Sequence, residues 1–175
     1  MEQIVTHLEL ENGIFTKKRH LIAMSVDERL MTRILGARTI AVVGLSKDPA
    51  KASHDVASYL QSHGYRIVPI NPTIDEVLGE KAYKSLLDLP EELKRQIDVV
   101  DIFRRAEDIP SIVEQVIELH RNHGHPTAVW MQLGIVNEEA AKRARAAGLD
   151  VVMDHCMKIE HRRLQPNRVD TKHAE

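Results

Sequence analysis

Five short apolar runs recur along the chain, each closed by a turn-forming residue. They are Thr39-Ile-Ala-Val-Val-Gly44, Tyr65-Arg-Ile-Val-Pro-Ile70, Ile97-Asp-Val-Val-Asp-Ile-Phe103, Pro126-Thr-Ala-Val-Trp-Met-Gln-Leu133 and Leu149-Asp-Val-Val-Met153. Nearly continuous apolar runs of this length predict strands buried on both faces, as in a parallel sheet. Between them the apolar residues change period. Val26, Leu30 and Ile34, with Met31 and Leu35, give one helical stripe, as do Val56, Ala57 and Leu60, and again Ile112, Val113, Val116, Ile117 and His120. Asn137 is placed to cap a helix over 138–147, with Gly148 behind it. Residues 79–87 read as a short mixed or turn-like stretch.

Strands alternating with helices of about ten residues imply βαβ units. Right-handed crossovers then give an α/β fold, a Rossmann-like doubly wound, mainly parallel sheet in three layers. The two ends read differently. Residues 1–24 show no sustained period and carry Lys17-Lys-Arg-His20, whereas Ser25 and Glu28 form a capping box ahead of the first helical stripe. The reading is therefore an N-terminal extension over 1–24, one domain over 25–164, and a polar tail over 165–175.

Composition narrows the class. At 175 residues the chain suits one domain that buries a sizeable core without disulfide staples. A net charge of −2 gives no global drive toward nucleic acid or an anionic membrane surface. No run of about 18 uncharged apolar residues is present. The single cysteine, Cys156, excludes an intrachain disulfide. A reducing, cytoplasmic setting is the simplest expectation.

In an open α/β sheet, ligands bind beyond the carboxyl ends of the strands. The first such loop, Gly44-Leu-Ser-Lys-Asp-Pro-Ala-Lys-Ala-Ser53, runs into a helix N-terminus. Gly44 allows close backbone approach, Ser46 and Ser53 offer hydroxyls, Lys47 and Lys51 offer charge, and the helix end offers N–H groups. This describes a phosphate cradle, although it fits neither the G-x-G-x-x-G nor the P-loop pattern. The alternative is a plain connecting loop with Ser53 as the helix cap. The second strand ends in Asn71-Pro72, where NAD-binding folds usually place a carboxylate for the ribose hydroxyls, so a phosphorylated ribose is not repelled there. Arg104 and Arg105 follow a strand directly and suit phosphate, or form a solvated pair. His120, His123 and His125 lie before a strand, at the opposite edge, and read as helix-end charges and caps rather than metal ligands. His155 and Cys156 are adjacent in an extended segment and point to opposite faces, so the expectation is a buried, inert thiol.

Taken in order, Gly44-Leu-Ser46, Gly64-Tyr-Arg-Ile-Val-Pro-Ile-Asn-Pro72, Gly79-Glu80, Asp98-Val-Val-Asp-Ile-Phe-Arg104, Val129-Trp-Met-Gln-Leu-Gly134 and Asp154-His-Cys-Met157 resemble the small stand-alone CoA-binding proteins. Those are similar to the N-terminal CoA-binding domain of the succinyl-CoA synthetase alpha subunit. The resemblance covers about residues 25–164. It implies coenzyme A or an acyl-CoA as the ligand, with Gly44, Ser46 and Lys51 facing the pyrophosphate. It places Asn71 and Pro72 beside the adenosine, and Phe103, Arg104, Gln132 and Gly134 along the rest of the crevice. It implies no catalytic residue, because ligase chemistry of that kind uses a phosphorylated histidine on a second domain. The alternatives are a thioester-handling or NAD(P)-type enzyme, or a partner-binding protein regulated by CoA.

Overall fold

The computed structural model describes residues 26–164; the extension, Ser25 of the capping box and the polar tail lie outside them. Five parallel strands form the central sheet: β1 (Thr39–Val43), β2 (Arg66–Ile70), β5 (Val99–Ile102), β6 (Ala128–Met131) and β7 (Asp150–Val152). Each falls inside one of the apolar runs. A two-stranded hairpin, β3 (Glu76–Val77) with β4 (Glu80–Lys81), turns through Leu78 and Gly79 at φ 55° and 73°. The helices are α1 (Val26–Ile34), α2 (Ala52–Ser62), α3 (Glu91–Lys94), α4 (Ile109–His123), α5 (Glu138–Ala146) and α6 (Met157–Leu164).

The strand order is β2-β1-β5-β6-β7. From β1 the chain moves outward to β2, then returns across β1 to β5 and continues the other way. The reversal opens a crevice between the carboxyl ends of β1 and β5. Alternate strand residues serve the two faces. Ala41, Val43, Val100, Ile102, Val129 and Met131 pack under α3, α4 and α5. Ile40, Val42, Val99, Trp130 and Val152 pack under α1, α2 and α6. Asn137 caps α5 as its position predicts, its Oδ1 accepting from the Ala140 N–H at 2.9 Å.

Two helices were not legible in the apolar pattern. α3 is a single turn. α6 buries Met157 but also Glu160 and His161, so its inner face reads as polar. The His161 Nδ1 lies 2.9 Å from the Tyr59 hydroxyl of α2, Lys158 pairs with Asp55 of α2 at 2.7 Å, and Arg163 pairs with Glu28 of α1. α6 is therefore held across α1 and α2 largely by polar contacts. Among the described residues no helix is long and apolar enough to cross a membrane.

Asp101 is the anomaly of the core. It is fully buried in β5, on the side of Val42 and Trp130, with which it is in register. Its Oδ1 accepts from Gln132 Nε2 at 2.8 Å, while Oδ2 has no hydrogen-bond partner among the described residues. Burial pushes its pKa up to about 7 from an ordinary 3.8, against the opposing pull of the Gln132 hydrogen bond. Between those values the folded state holds a proton that the unfolded chain has released, so stability falls as pH rises through this window and levels off above pH 7. At 1.36 kcal/mol per pKa unit the loss is on the order of 4 kcal/mol. Asp101→Asn keeps the acceptor for Gln132 and removes the titration. Its Tm relative to wild type is expected to climb between pH 4 and pH 7, and a difference that stays flat across melts over that range would show a carboxyl that ionises without cost.

Candidate functional site

Gly44 sits where β1 ends, with φ +86°. Its N–H donates to the Ile70 carbonyl of β2 at 2.8 Å, and the Phe103 N–H donates to the Val43 carbonyl at 2.9 Å. The chain after β1 is thus pinched between β2 and β5. A Cβ on Gly44 would lie 2.6 Å from the Phe103 carbonyl oxygen and 3.0 Å from Arg104 Cδ. Neither the dihedral nor the space admits a side chain.

Beyond Gly44 the loop is tied by its own hydroxyls. The Ser46 N–H donates to Ser53 Oγ at 3.1 Å, and the Asp48 N–H donates to Ser46 Oγ at 3.1 Å. Ser53 is buried and does not cap α2. The cap position is held by Lys51, whose side chain makes no cap hydrogen bond. The N-terminus of α2 therefore has its partial positive charge and no capping side chain among the described residues, although the His54 N–H of its first turn already donates to the Lys51 carbonyl at 3.0 Å. Lys47 and Lys51 are both exposed beside it.

Two cavities open from the crevice. The first, of about 200 Å³, is bounded by Gly44, Ile70, Pro72, Lys84, Arg104, Ser111 and Gln115. The second, of about 470 Å³, lies between the start of α2, the ends of β5 and β6, and the start of α6, and is bounded by Ala52, Phe103, Arg104, Gln132, Leu133, Cys156 and Ile159. Arg104 lies on the wall of both. Its guanidinium pairs with Asp108 at 3.1 Å and stays half exposed, whereas Arg105 turns to Glu107 and solvent.

The expected residues divide accordingly. Gly44, Pro72, Phe103, Arg104 and Gln132 line the two cavities, with Ser46 and Lys51 in the loop beside them. Asn71 has a structural task. Its Nδ2 donates to the Leu45 carbonyl at 2.9 Å and its Oδ1 accepts from the Thr73 N–H and hydroxyl, so its amide clamps the first loop. Gly134 lines neither cavity, and its N–H is taken by Asp154 Oδ1 at 2.7 Å. Cys156 corrects the expectation of a buried thiol. Trp130 Nε1 donates to the His155 carbonyl at 2.7 Å, and the Cys156 side chain is half-buried on the cavity wall. His155 faces away, into a groove with Asp27 and Leu30. Lys84, Ser111 and Gln115 were missed, because none follows a strand of the main sheet. Among the described residues no group of three His, Cys, Asp or Glu is arranged to hold a metal; His120 Nδ1 instead lies 2.8 Å from the Pro126 carbonyl.

Residues 38–162 match the family described as the CoA binding domain. The chain belongs to this family. It is 43% identical over 125 residues to the uncharacterised protein YneT of Bacillus subtilis, covering 71% of this chain and 86% of that protein. A solved structure from Thermus thermophilus, cell-free ID.343, is 38% identical and superposes with a TM-score of 0.70, covering 81% of this chain and 99% of the other. An ADP-forming acetate–CoA ligase of Archaeoglobus fulgidus is 30% identical over 126 residues, 70% of this chain but 17% of the ligase.

Gly44→Ala and Gly79→Ala both force a side chain into a left-handed conformation, at about 1–2 kcal/mol each. Nothing lies within 4 Å of the Gly79 position, so the Gly44 variant alone adds a backbone clash. Its Tm is expected to fall by several degrees more than that of the Gly79 variant. Equal losses in parallel melts would mean that the β1 and β5 ends separate freely.

Proposed function

We propose that the chain binds coenzyme A or an acyl-CoA in the crevice between β1 and β5, as a binding module without ligase activity of its own. The observation that carries this reading is the pairing of two unlike cavities at Arg104. One carries Lys84, Arg104, Asp108, Ser111 and Gln115 among its lining, and the other is lined mainly by apolar side chains. Coenzyme A has this division, a phosphorylated adenosine diphosphate joined to a long, weakly polar arm ending in a thiol.

In this arrangement the diphosphate lies over Gly44 and the N-terminus of α2, where backbone N–H groups, Ser46 and Lys51 favour anionic oxygens. The adenosine lies along Pro72, with Lys84 and Arg104 within the same cavity wall to meet phosphate. Asn71 acts indirectly by fixing Leu45 and so the shape of the loop. The arm passes Phe103 and Gln132 into the second cavity. The absence of a carboxylate at Asn71 accommodates a phosphate on the ribose, which favours CoA over NAD. The match to 17% of a CoA ligase supports the binding step as the part shared with such enzymes.

Titration calorimetry with CoA, 3′-dephospho-CoA and NAD tests the reading. CoA is expected to bind most tightly, and Arg104→Ala to weaken it by about ten- to a hundredfold, the range of a charge-assisted contact. Equal affinity for CoA and NAD, or no heat with CoA at millimolar concentration, overturns it.

The non-catalytic part has its own test. Incubation with ATP, CoA and acetate or succinate is expected to yield neither acyl-CoA nor phosphorylated protein, and formation of either product refutes a pure binding role.

A further inference from the structure

Cys156 and Gln132 occupy one cavity, and together they say what meets the far end of the ligand. The cavity of about 470 Å³ is bounded by Ala52, Phe103, Gln132, Leu133, Cys156 and Ile159. Gln132 is 3% exposed. Its Nε2 is spent on Asp101 Oδ1, and its Oε1 has no partner among the described residues. A buried amide held by one end on the wall of a cavity offers its carbonyl as an acceptor for a ligand N–H or S–H. Cys156, the chain's one cysteine, is half-buried on the same wall. Leu133 and Ile159 stand 65% and 55% exposed at the rim, an apolar surface that none of the described residues covers.

We propose that Cys156 exchanges with a disulfide of coenzyme A and holds the cofactor as a mixed disulfide. This rests on the CoA reading of the crevice. The Cys156 Sγ–H gives its proton to solvent, and the sulfur attacks the CoA sulfur of an oxidised CoA species, either CoA disulfide or a mixed CoA disulfide. The Cys156–CoA S–S bond forms as the original S–S bond breaks. The other half departs as a thiolate and takes up a proton. The disulfide is the only oxidant required, and the numbers of thiols and of disulfides are unchanged. Anchoring the nucleotide end over Gly44 and Arg104 raises the local concentration of the reacting sulfur beside Cys156. The Gln132 carbonyl receives an amide N–H of the arm and keeps it in the cavity. The noncovalent site then becomes a redox-sensitive one, charged by oxidised CoA and released by small thiols.

The experiment compares CoA disulfide with glutathione disulfide at equal concentration on the full chain, followed by intact mass and peptide mapping. One CoA adduct on Cys156 is expected, reversed by dithiothreitol. It should form at least tenfold faster than the glutathione adduct and slow when desulfo-CoA, which lacks the sulfur, occupies the crevice. Equal rates for the two disulfides, or no slowing by desulfo-CoA, overturn the proposal, since the cysteine is then merely exposed. Calorimetry of CoA with Cys156→Ser separates the two levels. Retained binding without an adduct on wild type refutes the exchange and leaves the binding reading intact, whereas loss of CoA binding in wild type removes both.

Discussion

The carboxyl edge of the sheet depends on how closely the backbone leaving β1 approaches the backbone leaving β5. At Gly44 a single added carbon would sit 2.6 Å from the Phe103 carbonyl oxygen. That contact brings Arg104 directly beside the first loop, and Arg104 is the side chain on which the two cavities meet. It also sets the first loop against β2, where the Asn71 amide grips the Leu45 carbonyl. The crevice is thus formed by backbone proximity, and the side chains that line it are placed by where the strands stop.

A second constraint runs beneath the crevice. Asp101 and Gln132 belong to neighbouring strands, and their hydrogen bond crosses from β5 to β6 inside the core. A buried carboxyl with one unpartnered oxygen is an expensive way to orient an amide. The expense makes sense if the orientation of Gln132 matters to what enters the cavity, because an apolar pair at these positions would pack without cost and present no acceptor.

The sheet was readable in advance because its strands are buried on both faces. Runs such as Thr39-Ile-Ala-Val-Val leave little room for another reading, and the turn residues after them lie at the edge where the two cavities open. What escaped notice follows from the same physics. The inner face of α6 is closed by Glu160 and His161 meeting Arg163 and Tyr59, so it carries no apolar stripe. Ser53 looked like a cap because it stands at a helix start, yet its hydroxyl serves the Ser46 N–H seven residues back. Asn71 was correctly placed at the edge, but its partners come from loops whose course no local pattern specifies. Cys156 looked like an inert core thiol, and its half-exposure follows from α6, the element that the pattern did not reveal. Lys84 reaches the first cavity from the segment after the β3–β4 hairpin, a connection that strand-end reasoning skips.

The way α6 is held down bears on the second cavity, one wall of which is formed at the start of this helix. Its grip on α1 and α2 runs through Lys158–Asp55, Arg163–Glu28 and Tyr59–His161, with Met157 the apolar anchor at its start. The part-exposed Arg163–Glu28 pair contributes little on its own, whereas His161 is buried among Tyr59, His63 and Tyr65. The wall formed by β5 and β6 is joined by main-chain pairing, and the wall formed by α6 by side-chain contacts. On the proposed acyl-CoA reading, a thioester substituent larger than the cavity would leave it past Ile159, which stands 55% exposed at the rim beside the start of α2.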